Sequence, residues 1–289
     1  GWYLFGQDRP VQNGGSIDLR WMPPSVQDFH IPKLDLSGSV DTFSLPREMT
    51  SIDIKQNQFH GPFNIAGLPL NIRSVDVSSN RLCGSLDLPR LPEGISLLNA
   101  AMNDFSGSIS LMALPESLKE LPLFHNTLSG TLNLDDLPSS MEYLNLSENT
   151  FTGEISLKRL PKSLHVLSLI GNRLNGTITL TSLPRTLTNL YLNQNTLEGS
   201  LDFTELPERL QHLGLSGNMF SGEIDLSHLS RGLTSLGAGN NKLSGTICLT
   251  SLPRVLADLY LNLNTLEGSL DFTELPERLQ HLELSDNSF

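Results

Sequence analysis

The sequence predicts a β-rich solenoid with little helix, in which coils of 23 residues stack and pair into a parallel sheet. Asparagine recurs every 23 residues without insertion or deletion, and apolar residues keep fixed offsets from it. Such self-similarity is the signature of a repeat architecture, and about a dozen coils are expected. The chain also holds 23 glycines and 17 prolines among its 289 residues, which indicates many short elements joined by turns.

The repeated asparagines form a ladder that fixes the register of the chain. Leu34 occupies the position one repeat before the first of them. Each asparagine is expected to turn inward and to bond backbone groups and the next asparagine, because a buried polar group without a partner costs roughly 1–3 kcal/mol. The ladder consists of Asn57, Asn80, Asn103, Asn126, Asn149, Asn172, Asn195, Asn218, Asn241, Asn264 and Asn287.

The first half of each repeat is predicted to be a strand. In one unit, Leu118, Leu121 and Leu123 lie eight, five and three residues before Asn126, and Leu128 lies two residues after it. The alternation over residues 121–123 is typical of a short strand. Stacked copies are expected to pair in parallel, with a rise of about 4.8 Å per coil.

The second half of each repeat turns the chain back. Gly130 permits a tight bend where a side chain would collide. The apolar pair Leu132 and Leu134 predicts a second short extended segment, and Leu137-Pro138 closes the coil because proline cannot sit within a central ladder. The position two residues after the asparagine is predicted to be core, and it is phenylalanine at Phe59, Phe105, Phe151, Phe220 and Phe289.

Two segments follow from the repeat pattern. Residues 1–28 are interpreted as an N-terminal cap and half-repeat, and residues 29–289 as the solenoid of about 11–12 units, with no C-terminal cap in the pattern. The cap is carried by the aromatic residues Trp2, Tyr3, Phe5 and Trp21, and the half-repeat by Ile17, Leu19, Met22 and Pro23.

The unit LPRTLTNLYLNQNTLEGSLDFTE (183–205) resembles the leucine-rich-repeat family, whose pattern is LxxLxLxxN followed by LxGxL. The resemblance implies a horseshoe or superhelix with a concave parallel sheet, and a recognition surface for a macromolecule. The glycine-containing half is similar to the plant extracellular subclass. The closing Leu-Pro resembles most closely the repeat proteins of kinetoplastid and related protists.

A longer period is superimposed on the repeat. Residues 177–218 match residues 246–287 at an offset of 69, which is three repeats, with differences at seven of 42 positions. This pattern indicates duplication of a three-repeat cassette. A solenoid tolerates such growth because its coils contact only their neighbours.

Charge and cysteine usage limit the partners and the compartment. The net charge of −12 disfavours nucleic acid and anionic membranes, and no apolar run is long enough to span a membrane. Cys83 and Cys248 are 165 residues apart, on the order of 30 Å in a solenoid, too far for a disulfide. This favours a cytoplasmic or cytoskeletal setting over the cell surface, which the glycosylation sequons at Asn145 and Asn175 keep open.

No enzyme motif is present in the sequence: it has no P-loop, no GxSxG elbow and no HExxH. His212 and His281 occupy one duplicated position, and the neighbouring coils offer Asn189 and Asp258, which do not complete a metal-ligand set. The sequence therefore predicts no cofactor and no metal. A column of Ser and Thr five residues after the asparagines could bind ice, but Glu154 and Glu223 interrupt it.

The residues six, four, two and one before each asparagine are predicted to form the concave face. They are polar or small in the early and late units but apolar and aromatic in the middle. Such a patch marks interaction sites, although these side chains could also be simply tolerated or covered by a loop. The predicted partner-binding residues are Leu97, Met102, Phe124, His125, Tyr143, Val166, Ile170 and Tyr191.

The sequence therefore favours a non-enzymatic interaction or scaffold module with a protein partner, which could be part of a large assembly. The alternative is a cell-surface recognition domain, similar to a receptor or adhesin, that binds a peptide, protein or glycan.

Overall fold

The computed structural model describes residues 14–289, and each coil contributes one strand to each of two parallel sheets. The first sheet contains β2 (Asp28–His30), β4 (Ser51–Asp53), β6 (Ser74–Asp76), β8 (Leu97–Asn99), β10 (Glu120–Pro122), β12 (Tyr143–Asn145), β14 (Val166–Ser168), β16 (Asn189–Tyr191), β18 (His212–Gly214), β20 (Ser235–Gly237), β22 (Asp258–Tyr260) and β24 (His281–Glu283). The second contains β1 (Gly15–Ser16), β3 (Leu36–Ser39), β5 (Gln58–Pro62), β7 (Arg81–Gly84), β9 (Asp104–Ser108), β11 (Thr127–Thr131), β13 (Thr150–Glu154), β15 (Arg173–Thr177), β17 (Thr196–Gly199), β19 (Met219–Glu223), β21 (Lys242–Thr246) and β23 (Thr265–Glu267).

Helix is confined, in residues 14–289, to five 3₁₀ turns of three residues. They are η1 (Leu19–Trp21), η2 (Thr42–Ser44), η3 (Ile65–Gly67), η4 (Leu88–Arg90) and η5 (Leu226–His228). A polar residue precedes each of them, and in four of the five its side chain accepts a hydrogen bond from a backbone N–H of the turn. The prediction of a parallel solenoid with little helix is confirmed.

The first sheet has the register that the asparagine spacing predicts. Leu121 of β10 pairs with Leu144 of β12, which pairs with Leu167 of β14, so identical repeat positions stack in columns. The strand in this unit covers 120–122, one residue earlier than the alternation over 121–123 predicts. All three leucines are fully buried, so each strand presents one side chain to the core and its neighbours to the outside.

The second sheet lies elsewhere in the repeat than predicted. Its strand β11 begins directly after Asn126, whereas the expected extended segment was Leu132 to Leu134. Those two leucines are buried beyond the strand. Leu128 is the single buried residue of β11, so the strand carries no apolar alternation that could be recognised from sequence. Its register is also sheared, because Ser129 pairs with Thr150, 21 residues away and not 23.

The phenylalanine stripe is core, as predicted. Phe59, Phe105, Phe151 and Phe220 are fully buried. Phe289, the last residue, is 41% exposed, and no described coil stacks on it. Burial of this stripe therefore depends on the next coil, as expected when stability comes from neighbour contacts.

The asparagines bond main-chain groups of two adjacent coils. The Nδ2 group of Asn126 donates to Leu123 O at 3.0 Å and Phe124 O at 3.4 Å in its own coil, and to Ala100 O at 3.1 Å in the preceding coil. Its Oδ1 accepts from the N–H of Phe105 at 3.0 Å. The side chains of the ladder therefore do not bond one another in the described residues, and each one joins its own turn to the backbone of the coil before it.

The glycine of each repeat has a positive φ, and at some coils it also avoids a close contact. Gly153 has a φ of +85°, and a β-carbon there would lie 2.9 Å from Cγ2 of Thr131 in the preceding coil. A φ in this range is unfavourable for residues with a side chain. At Gly153 a side chain would therefore be unfavourable both for the backbone conformation and for the contact with Thr131.

The start of the solenoid is only partly described. Trp2, Tyr3 and Phe5 of the predicted cap lie outside the described residues. Ile17, Leu19 and Met22 pack against the core, and β1 pairs with β3, so residues 15–23 take the place of the second half of a repeat. Trp21 is 85% exposed, and the role of residues 1–28 as an N-terminal cap stays a prediction.

Replacing a ladder asparagine is expected to weaken the solenoid. Asn126→Ala leaves buried backbone groups unpaired in two coils, at roughly 1–3 kcal/mol for each group. The urea midpoint, followed by far-ultraviolet circular dichroism, should fall clearly. Asn175→Ser changes an exposed asparagine of β15 and should leave the midpoint in place. Equal midpoints for wild type and Asn126→Ala would contradict the role given to the ladder.

Gly153→Ala is expected to destabilise the protein by about 1–2 kcal/mol, because of the positive φ and the contact with Thr131. The matched control is Gly94→Ala, because a β-carbon at Gly94 would meet no atom within 4 Å. Thermal unfolding of both variants measures the difference. If the two substitutions had the same effect, close stacking at Gly153 would not be the reason for its glycine.

Candidate interaction surface on the first sheet

Six of the eight predicted partner-binding residues lie together on the exposed face of the first sheet. Leu97, Tyr143, Val166 and Tyr191 are in strands, and all six are half-buried with one side open to solvent. Tyr143 pairs directly with Val166 in the sheet register. We call this group the apolar strip; its members are Leu97, Phe124, Tyr143, Val166, Ile170 and Tyr191.

Met102 and His125 lie outside the strands, in the turn before the asparagine. Each directly precedes a ladder asparagine and has a positive φ, 55° and 56°. Together with Arg81 and Asp104 they border a depression of about 410 Å³ at the shoulder between the two sheets. Sequence reasoning placed both on the strand face because it could not show the left-handed turn that every coil makes before its asparagine.

The tyrosines of the apolar strip are held by asparagine side chains. Asn145 donates to the Tyr143 hydroxyl at 3.1 Å, and Asn189 donates to the Tyr191 hydroxyl at 2.8 Å. Asn189 also lies 3.0 Å from Nδ1 of His212, whose ring centroid is 6.3 Å from that of Tyr191. Sequence reasoning missed these bonds, although an Asn and a Tyr two residues apart on one strand face are a usable signal.

Charged pairs on this face lie nearer its N-terminal end. Lys55 Nζ lies 3.1 Å from Asp53 and 3.3 Å from Asp76. The hydrogen bond to Asp53 raises the pKa of Lys55 above its ordinary value. The surface of these coils therefore consists of charged side chains that are paired with one another. The apolar strip, in contrast, offers apolar side chains that a partner could cover.

The two glycosylation sequons occupy unlike positions. Asn145 lies in β12 beside the apolar strip, half-buried, and its Oδ1 accepts from the N–H of Ser147 at 3.1 Å. Asn175 is exposed in β15 of the second sheet. Because Asn175 lies outside the first sheet, a glycan attached to it would not cover the apolar strip.

His212 and His281 each contact one polar side chain of the neighbouring coil. Nδ1 of His281 lies 2.7 Å from Asp258, as the repeat spacing suggested. Across residues 14–289, no three His, Cys, Asp or Glu side chains are grouped so that they could hold a metal ion. In the same range, no helix has the length and hydrophobicity needed to cross a membrane.

Cys83 and Cys248 are both free thiols, and only Cys248 is exposed. It occupies the turn position that is Asp202 and Asp225 in other coils, where the side chain accepts hydrogen bonds from the following turn. Hydrogen bonding to Thr250 lowers the pKa of the Cys248 thiol below its ordinary value.

The architecture was compared with known families, curated proteins and solved structures. A scan against protein-family models gives no match, and neither does a search of curated proteins. Solved structures do match. The Arabidopsis receptor kinase HAESA, in complex with the peptide hormone IDA, is 26% identical with a TM-score of 0.67, over 91% of this chain and 50% of that one. The LRR ectodomain of the Arabidopsis thaliana receptor kinase GASSHO1/SCHENGEN3, in complex with Casparian strip integrity factor 2, is 27% identical with a TM-score of 0.70.

The chain is a leucine-rich-repeat solenoid. It spans half of the HAESA chain and 33% of the GASSHO1/SCHENGEN3 chain. A plant ice-binding protein is also similar, with 25% identity and a TM-score of 0.66 over 86% of the solenoid and 82% of that protein. The narrower resemblance to kinetoplastid and protist repeats stays a prediction.

Alkylation should distinguish the two cysteines of the solenoid. Because the lowered pKa raises the thiolate fraction near neutral pH, Cys248 should react first with iodoacetamide. Its reaction should also keep its rate to lower pH than that of an unperturbed exposed thiol. Peptide mass spectrometry over a time course measures this, with Cys248→Ser as the control that removes the fast phase. Faster labelling of Cys83 would contradict the arrangement.

Proposed function

We propose that this leucine-rich-repeat solenoid is a non-enzymatic interaction module that binds a protein or peptide partner on the exposed face of its first sheet. The observation that carries the proposal is the apolar strip. It joins two tyrosines, one phenylalanine and three aliphatic side chains on neighbouring coils, on a rigid sheet. Exposed apolar patches of this kind mark interaction sites, and tyrosine is a common hot-spot residue.

The two copies of the duplicated cassette differ at positions outside the hydrophobic core and keep the apolar residues of the core, which supports a role in recognition. Four of the seven differences between residues 177–218 and 246–287 fall within six residues before an asparagine, at 189, 194, 214 and 217. None of the seven replaces a core leucine or phenylalanine. Recognition modules vary in this way, because exposed side chains can change without loss of packing.

Similar solenoids are compatible with the proposal. HAESA was solved with a peptide hormone bound, and the GASSHO1/SCHENGEN3 ectodomain with an integrity factor. The negative charge of the solenoid is the reason to propose a protein partner and not a nucleic acid. Ice binding, as in the plant neighbour, is not proposed, because Glu154 and Glu223 interrupt the hydroxyl column of the second sheet.

The double variant Phe124→Ser with Tyr191→Ser tests the proposal. Both side chains are half-buried on the sheet surface, so thermal stability should stay nearly unchanged. Affinity for a partner, isolated by pull-down and then purified, should fall at least ~10-fold in isothermal titration calorimetry.

The matched control is Phe43→Ser with Phe272→Ser, which removes two aromatic side chains that are 61% and 52% exposed away from the first-sheet face. This control should bind as the wild type does. Unfolding of the Phe124/Tyr191 variant would show that the strip belongs to the core. Undiminished binding by that variant would place the partner elsewhere.

A further inference from the structure

A hollow of about 330 Å³ opens on the first-sheet face beyond the apolar strip. Tyr191 of β16 and Tyr260 of β22 stand at its two ends, in the same repeat position and three coils apart, a span of about 14 Å. The two coils between them have Gly214 and Gly237 at that position. We call this feature the tyrosine hollow.

Neither glycine is needed for backbone conformation, since neither has a positive φ. A β-carbon at Gly214 would overlap Oδ1 of Asn193, and one at Gly237 would lie 3.0 Å from Oγ of Ser216. The amide of Asn193 and the hydroxyl of Ser216 therefore lie along the floor. The absence of side chains at Gly214 and Gly237 leaves these polar groups open to the hollow.

Both walls are held in place. Tyr191 receives the hydrogen bond from Asn189, which also contacts His212. Tyr260 is stacked on His281 with ring centroids 6.4 Å apart and an interplanar angle of 17°. His281 is itself fixed by its 2.7 Å contact with Asp258. Fixed aromatic walls reduce the entropy that a ligand must overcome on binding.

The chemistry of the lining points to an uncharged, polar ligand. Among residues 14–289, no Asp, Glu, Lys or Arg lines the tyrosine hollow, although 17% of the chain is charged. Two phenol rings offer flat apolar surface, while Asn193, Gln194 and Ser216 offer donors and acceptors in several directions. A ring with apolar C–H faces and a rim of hydroxyl groups satisfies both demands at once. That description fits a pyranose sugar.

We propose that the tyrosine hollow binds a neutral oligosaccharide, with a sugar ring against Tyr191 or Tyr260 and its hydroxyls bonded to the floor. This goes beyond the proposed partner site. The hollow and the apolar strip share Tyr191 and Ile170, whereas Tyr260, Gly214 and Gly237 belong to the hollow alone.

The duplicated cassette supplies a natural contrast. The repeat position of Gly214 is Glu283 in the second copy, next to Tyr260, and Asn189 becomes Asp258. The second copy thus keeps the tyrosine and histidine but places two carboxylates beside them. It also shows that glutamate is compatible with this strand position, which makes Gly214→Glu a suitable way to fill the hollow.

Binding is tested with four neutral hexasaccharides: β-1,4-glucan, β-1,3-glucan, β-1,4-linked N-acetylglucosamine and α-1,6-mannan. Saturation-transfer NMR on the whole chain should show transfer from the protein to at least one of them. Titration of that sugar should give a dissociation constant that Gly214→Glu and Tyr260→Ala each raise at least ~10-fold. Ser74→Glu, which adds a carboxylate to β6 far from the hollow, is the matched control and should bind normally.

Transfer to none of the four sugars would overturn the proposal, as would binding that survives Tyr260→Ala. Tyr260→Ala keeps the floor glycines, so the test stands even if Gly214→Glu fails to fold. Phe124→Ser should lower affinity for the protein partner and leave the sugar unaffected, and Tyr260→Ala should do the reverse. Loss of protein capture in Tyr260→Ala without any sugar binding would make the hollow part of the protein interface.

Discussion

The hydrogen bonds from each ladder asparagine to the preceding coil are the constraint on which the rest of the structure depends. One amide serves three carbonyl groups and one N–H in two coils, as at Asn126. The chain can therefore leave the first sheet, turn through a left-handed residue and enter the second sheet without unpaired backbone groups inside. Since the bonds always span adjacent coils, no insertion can enter this part of the repeat without breaking them, and the spacing stays at 23 residues.

Sequence and structure agree wherever the signal is a column repeated many times. The first sheet, its register and the Phe59 column follow from eleven aligned units, because a buried position must be apolar in every coil. The second sheet was not predicted because a strand such as β11 has one buried residue, Leu128, and therefore no apolar alternation. The expected bonding of asparagine to asparagine was wrong for a related reason. A pattern shows that a polar residue is buried, but its partners here are main-chain atoms, which leave no mark in the sequence.

The surface was predictable only in part. Alternation placed Tyr143 and Val166 correctly on the open side of their strands, since a strand has only two faces. The same reasoning could not show that Met102 and His125 lie in a left-handed turn, because nothing in their identity signals a positive φ; Gln, Ser, Glu and Leu occupy the same turn in other coils. Here the hydrogen bonds of the following asparagine impose the conformation, and local propensity does not decide it.

The same separation of scaffold from surface allows the two proposed sites, which differ in chemistry, to share one sheet. The inward columns carry the free energy of folding, so the outward columns are free to differ from coil to coil. Phe124, Tyr143 and Ile170 make one stretch apolar, whereas Gly214 and Gly237 remove side chains from the next and expose polar groups beneath. Duplication of the cassette therefore keeps the apolar residues of the core and changes residues outside it. Glu283 stands at the position that is Gly214 in the first copy, so the two copies have the same fold and different surfaces.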